Sequence, residues 1–283
     1  MDRRSVLSLA AAGFVAACSS RSTDRVIDRA TDKGQRMEQI HYGPDAQQFA
    51  ELTRPVGVSR GVVVVIHGGF WRAEYDLSLG RPLAASLVSH GWTAYNVEYR
   101  RVGNGGGWPT TFDDVSAAID ALADVAGLDL GTVVTLGHSA GGHLAVWAAS
   151  RPQLTGTPWA DPRVPVTAAV SQAGVLDLAA AIDDDLGRGA VQALMGGTVD
   201  SRYDAADPTR QLPVDVPIRC IHGTADQFVP LSQSTEYVER ATAAGGDAAL
   251  TEVDGDHFVV IDPRSAAWTT TLDLLDSLTS TTG

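Results

Sequence analysis

Three short segments, far apart in the chain, hold residue types that together can open a carbonyl group. Gly137-His138-Ser139-Ala140-Gly141 sets a serine between two glycines, after the β-branched run Thr132–Leu136 and before the helix-spaced stretch Gly141–Ala149. A serine on a tight strand-to-helix turn sits in strained backbone that exposes its Oγ, and the glycines let strand and helix approach closely. The helix that begins there aims its free N–H groups at any negative charge forming beside the serine. Glycine and serine are common, so the strand before and the helix after are what make Ser139 a candidate nucleophile.

His67-Gly68-Gly69-Phe70-Trp71 follows Val62-Val63-Val64-Val65-Ile66 directly. A carbonyl under attack turns its oxygen into an anion, which preplaced donors must receive. Glycines without a Cβ free the backbone for that task, and the expected donors are the N–H of Ala140 with one from Gly69 or Phe70. His67 reads as a residue that orients this loop rather than as a base. A phosphate cradle is excluded here and in Gly103–Gly107, because neither carries the G-K-[ST] ending.

The acid and the base come late. Asp226 lies in the loop after Ile218-Arg219-Cys220-Ile221, and His257 lies in Gly255-Asp256-His257-Phe258 after the run Ala248–Val253. A serine needs a base to take its proton, and the base needs a carboxylate to fix its tautomer. Asp256 rivals Asp226, but adjacent residues rarely aim both side chains at one point. The other six histidines are poorly placed for the base. His41 and His90 precede the sheet's catalytic end, His67, His138 and His143 lie in the loop and the elbow, and His222 sits at a strand end. The run Asp183-Asp184-Asp185 lacks the spaced ligands and glycine of a calcium loop, so neither metal nor cofactor is expected. Trp71 and Trp108 sit in loops at the expected active edge and are candidates to line an acyl or aryl pocket.

These segments need a frame. Short β-branched runs (also Thr93–Val97 and Ala168–Ser171) alternate with amphipathic stretches at Arg81–Ser89, Phe112–Val125, Ser232–Ala244 and Pro263–Leu278. Runs that are apolar on both faces belong to parallel strands covered by helices on each side. Ile40–Tyr42 and Gln48–Leu52 are expected to open the sheet as an antiparallel pair. One α/β domain over residues 37–283 follows, with a small cap excursion around 176–213 and no internal repeat.

The elbow, the acid loop and the histidine loop, in the order Ser139, Asp226, His257, resemble the α/β-hydrolase superfamily across residues 40–280. His67–Trp71 together with Ser139–His143, Tyr99-Arg100 and Asp113-Asp114-Val115 resembles the esterase branch that contains kynurenine formamidase (arylformamidase) and related feruloyl and acetyl esterases. The resemblance implies a single, mainly parallel sheet covered by helices on both faces. It also implies Ser139 as nucleophile, Asp226 as acid and His257 as base, without metal. The expected activity is hydrolysis of small acyl or aryl carboxylic esters through an acyl-enzyme. The alternatives are formamide or amide hydrolysis and, from a different class, a non-catalytic surface lipoprotein that binds a ligand.

Composition narrows the partners. The 283 residues are 44% hydrophobic and 19% charged with a net charge of −13 and no basic cluster in the body, which excludes a phosphate-binding surface and hence nucleic acid. The first residues are an address. Arg3 and Arg4 precede an apolar run, Val6–Ala17, which falls short of the ~20 residues a bilayer span needs and reads as an export signal over 1–17. Arg3-Arg4-Ser5-Val6-Leu7 resembles a twin-arginine signal, and Val15-Ala16-Ala17-Cys18 resembles the lipobox of bacterial lipoproteins. The expectation is lipidation of Cys18, a polar tether over 18–36 and a protein anchored outside the cytoplasmic membrane, the competing reading being a simply cleaved signal. Cys220 is the other cysteine and belongs to a core strand.

Overall fold

A computed structural model describes residues 29–30 and 36–279; the expected signal, Cys18 and most of the expected tether lie outside the described residues. Among the described residues nine strands form one sheet: β1 (Arg29–Ala30), β2 (Arg36–His41), β3 (Phe49–Thr53), β4 (Val62–Ile66), β5 (Thr93–Val97), β6 (Val133–His138), β7 (Ala168–Gln172), β8 (Ile218–Gly223) and β9 (Ala248–Val253). Their order is β1-β2-β3-β5-β4-β6-β7-β8-β9. The pairs from β1 to β5 are antiparallel and the rest are parallel, so the mainly parallel sheet with an antiparallel opening is as expected. β1 falls inside the stretch read as tether and pairs Ala30 with Arg36. Two residues are too few to show a period.

The side-chain alternation of β4 explains the layers. Successive residues of a strand face opposite ways, so Val62, Val64 and Ile66 enter one core and Val63 and Val65 the other. On the first face lie α2 (Thr110–Asp120), α3 (Ala140–Ser150) and α7 (Ser232–Ala243), through Val115, Leu144 and Tyr237. The second face carries α1 (Arg81–Ser89) and α8 (Ala266–Thr279), through Leu83, Leu87, Trp268 and Leu275. Every residue of α3 is buried, as befits a helix enclosed by sheet and cap. The stretch expected as one helix to Val125 stops at Asp120 and tightens into a 3₁₀ turn over Ala121–Asp124.

The excursion between β7 and β8 contains three short helices, α4 (Leu178–Asp183), α5 (Ala190–Met195) and α6 (Tyr203–Ala206). Leu178, Val191, Leu194 and Tyr203 join the main core, so this cap is packed down on the domain. His143 Nε2 donates to the carbonyl of Ala206 (2.9 Å) and Trp147 Nε1 to that of Ala205 (2.8 Å), fastening the cap to α3.

Register decides where chemistry collects. Ile66 pairs with Gly137, His138 with Gln172 and Gln172 with Ile221, so the carboxyl ends of β4, β6, β7 and β8 finish level. The loops leaving them emerge side by side, where open α/β sheets bind their ligands.

Candidate active site

Ser139 occupies the turn between β6 and α3 with φ 55° and ψ −119°, a conformation that L-residues avoid. Three bonds hold it there: Ser139 N donates to the Gln172 carbonyl (2.8 Å), and its own carbonyl accepts from His143 N and Val175 N. A Cβ on Gly137 would lie 2.0 Å from the Gly141 oxygen, and one on Gly141 would lie 2.1 Å from the Ile66 oxygen. Both contacts are with backbone, so only glycine fits at either end of this elbow.

The loop after β4 is strained as well. Gly69, Phe70 and Trp71 all have positive φ (111°, 57° and 53°). Its carbonyls are tied down, Gly69 O to Arg72 N and Trp71 O to Val102 N, both at 2.9 Å. Arg72 also reaches the cap, donating to Gly187 O at 2.6 Å. Beneath the loop lies a buried polar cluster. Glu98 accepts from Leu77 N, Tyr99 N and Arg101 Nη1, and Arg101 Nη1 also donates to His67 Nε2 (3.0 Å). His67 Nδ1–H then donates to the Gly68 carbonyl (2.8 Å), which fixes a neutral tautomer. His67 therefore orients the loop, and its contact with Glu98 is not an ion pair.

Asp226 and His257 come from the loops after β8 and β9, which are zipped together by Ala225 N donating to Gly255 O (2.9 Å). His257 Nδ1 donates to Asp226 Oδ2 at 2.6 Å, leaving Nε2 as the basic nitrogen. Asp226 Oδ1 accepts from Phe228 N (2.8 Å) and Val229 N (2.9 Å), and His222 Nε2 stands 3.2 Å from Oδ2. Burial pushes the Asp226 carboxyl up, yet the hydrogen bonds from His222, His257 and Val229 N–H outweigh it and hold the group well below the usual carboxylate range. The rival, Asp256, turns its carboxylate to Phe258 N and Val259 N and so caps its own turn.

Two histidines that looked unsuited to catalysis instead hold the pair in place. His222 Nε2 also faces the Val229 carbonyl (3.0 Å), and its Nδ1 lies 2.8 Å from Ser234 Oγ. His138 Nε2 donates to the His257 carbonyl (2.9 Å), and their rings lie 4.4 Å apart. Their one sequence signal was position: His222 precedes the acid by a single loop, and His138 immediately precedes the serine. Of the two tryptophans expected at a pocket, Trp71 lines the cavity beside Ser139. Trp108 does not line it but packs edge-on against Phe112 and Trp159, and its backbone N–H donates to Leu194 O of the cap.

That cavity is narrow and partly open, since Phe228 on its wall is 47% exposed. Phe70, Trp71, Val175, Leu186, Val191 and Phe228 surround a volume of about 10 Å³, close to the least that admits one water. A much larger groove of about 840 Å³ lies elsewhere, between β2 and the end of α2. Its charges are engaged with one another, Arg54 with Glu38 and Arg163 with Asp124, and none of the strained or coupled groups above faces it. Ser139 and Ala140 line the small cavity instead.

Three buried histidines make the fold acid-sensitive. Burial, reinforced by Arg101 for His67 and by His257 for His138, lowers both to about 3, and burial lowers His143 to about 4. Unfolded, each titrates near 6.5. A lowered folded value means stability that is complete above 6.5 and drains as pH falls toward 3–4, at about 1.4 kcal/mol per pH unit for each group. Thermal unfolding should thus drop steeply between pH 7 and pH 5, with protons taken up on unfolding. A melting temperature flat across that range would contradict this account.

The fold and the site define an α/β-hydrolase. The chain belongs to the BD-FAE family, whose pattern matches residues 54–240, and it is a carboxylic ester hydrolase. No curated protein matches it. Among solved structures, an esterase B from Lactobacillus rhamnosis inhibited by a tributyrin phosphonate is 23% identical, covers 90% of this chain and 89% of its own, and superimposes with a TM-score of 0.75. The butyrate-bound esterase 2 of Thermogutta terrifontis is 23% identical over 87% of this chain and 94% of that one (TM-score 0.71). A truncated carbohydrate esterase from gut microbiota is 21% identical over 86% and 95% (TM-score 0.69).

Proposed function

We propose that Ser139, Asp226 and His257 are the catalytic triad of an esterase for short acyl groups. Ser139 Oγ attacks the ester carbonyl while His257 Nε2 takes its proton, and Asp226 holds the imidazole tautomer and stabilises its charged form. The carbonyl oxygen becomes an anion received by the N–H of Ala140 and that of Phe70 or Gly69. His257 returns the proton to the leaving alcohol, and water then cleaves the acyl-enzyme with His257 again as base. The observation that carries this reading is the 2.6 Å Asp226–His257 bond, from loops that share the carboxyl edge with the strained Ser139. The narrow apolar cavity beside Ser139 and Ala140 favours small acyl groups. Nitrophenyl acetate should therefore be turned over well above the decanoate, and equal turnover along the series would refute the preference for short acyl groups. The same tight cavity favours one second reading, removal of a formyl group from an aryl formamide, which N-formylkynurenine tests beside methyl ferulate.

His222 acts through Asp226. Its N–H steadies the carboxylate that steadies the base, so His222→Leu should lower kcat by about 10- to 100-fold, the scale of a misplacement near 1 Å. With one donor fewer, the carboxylate holds the imidazolium more firmly, and the acid limb of kcat/KM should move to higher pH. His222→Gln, which keeps an N–H donor, should recover part of both effects. A change in stability alone, with kcat and the acid limb intact, would reduce His222 to packing.

A further inference from the structure

The place of the leaving alcohol follows from proton transfer, granted the mechanism above. His257 must hand its proton to the alcohol oxygen, so that oxygen lies within about 3 Å of the imidazole. The remainder of the alcohol must project past whatever flanks His257 on its open side. The rings of Phe228 and Phe258 each lie 5.3 Å from the His257 ring, and 5.3 Å from each other at 69°. His257 itself is only 3% exposed, whereas Phe228 and Phe258 are 47% and 49% exposed. Phenylalanine is ordinarily buried, so two half-open rings on the base need a reason.

Both rings are held for presentation. Phe228 is set by the turn whose N–H groups bond Asp226, and Phe258 by the turn whose N–H groups bond Asp256. Phe228 also forms part of the wall of the small acyl cavity, which makes cavity and rings continuous. Phe70, also on the cavity wall, pairs with the half-open Tyr75, their rings 6.3 Å apart. We propose that Phe228 and Phe258 form the alcohol subsite and take an alcohol with a flat, apolar ring face, either an aryl ring or the C–H face of a pyranose. Substrates are then small acyl esters of ring-bearing alcohols, with the acyl group enclosed and the ring stacked outside.

The test is selectivity. Ethyl acetate, phenyl acetate and an O-acetylated methyl pyranoside share one acyl group and differ in the alcohol. For Phe258→Ala and Phe228→Ala, kcat/KM for the ring esters relative to ethyl acetate should fall by about 3- to 10-fold each, mainly through KM, as the loss of an aromatic contact predicts. Phe258→Trp should restore the ratio, which a merely unfolded loop would not. A fall confined to phenyl acetate assigns an aryl alcohol, and one confined to the pyranoside assigns a sugar. If all three esters decline together, or the ratio does not move, the rings support the loops and the subsite is overturned. If the wild-type enzyme cleaves none of the three in a Ser139-dependent way, the triad reading itself falls, and the subsite with it.

Discussion

Ser139→Ala is expected to lower kcat for nitrophenyl acetate on the order of 10⁶-fold, the scale seen when the nucleophile of a triad is removed. It should also abolish covalent labelling by a fluorophosphonate. Ser139 is 5% exposed, and its backbone rather than its hydroxyl is pinned, through Gln172, His143 and Val175. Alanine keeps that backbone and the same positive φ, so the unfolding free energy should stay within about 1 kcal/mol of the parent. Activity or labelling that survives in the variant would eliminate Ser139 as the nucleophile. Lost activity together with a collapsed fold would instead mean that the elbow cannot be tested by truncation.

Asp226→Asn carries the second large effect, about 10⁴-fold in kcat, by a different route. The new amide can keep its oxygen on Phe228 N and Val229 N, where Oδ1 now accepts, so the loop should survive. Its NH₂ then replaces Oδ2 opposite His257 Nδ1, and two donors cannot face each other at 2.6 Å. His257 must move its proton to Nε2, which leaves no base for Ser139. The same NH₂ confronts His222 Nε2–H, which can retreat to the Val229 carbonyl alone. Folded protein with near-parental kcat would transfer the acid's role elsewhere, and Asp256→Asn, expected to be mild, is the control. The comparison of the two variants decides between neighbouring carboxylates that the chain offers thirty residues apart.

Much of the site was legible because its requirements are local. The tight turn at Ser139 demands glycine on both sides within a few residues, and the β-branched run Val62–Ile66 announces a strand whose end must present the next loop. Alternation of strands and helices determines a parallel sheet, since parallel neighbours need a crossover, and a parallel sheet collects its loops at one edge. That logic also placed Asp226 and His257, each just after a strand.

What the tertiary structure decided are relations across long separations. Asp256 neighbours His257 in the chain yet points to its own turn, while Asp226 arrives from 31 residues away to meet the ring at 2.6 Å. His138 and His257 touch across 119 residues. Trp71 and Trp108 carry the same side chain in similar loops, and one lines the cavity while the other packs against Phe112 and Trp159. The two-residue β1 and the dense packing of the cap also escape any periodic reading. The amino-acid sequence by itself determined which elements form and in what order their ends meet, because those follow from backbone preference and burial along a few residues. Distances between side chains of different loops depend on how the sheet twists and the helices seat, so which carboxylate meets His257, which histidines contact that pair and how narrow the cavity beside Ser139 is were settled only by the folded chain.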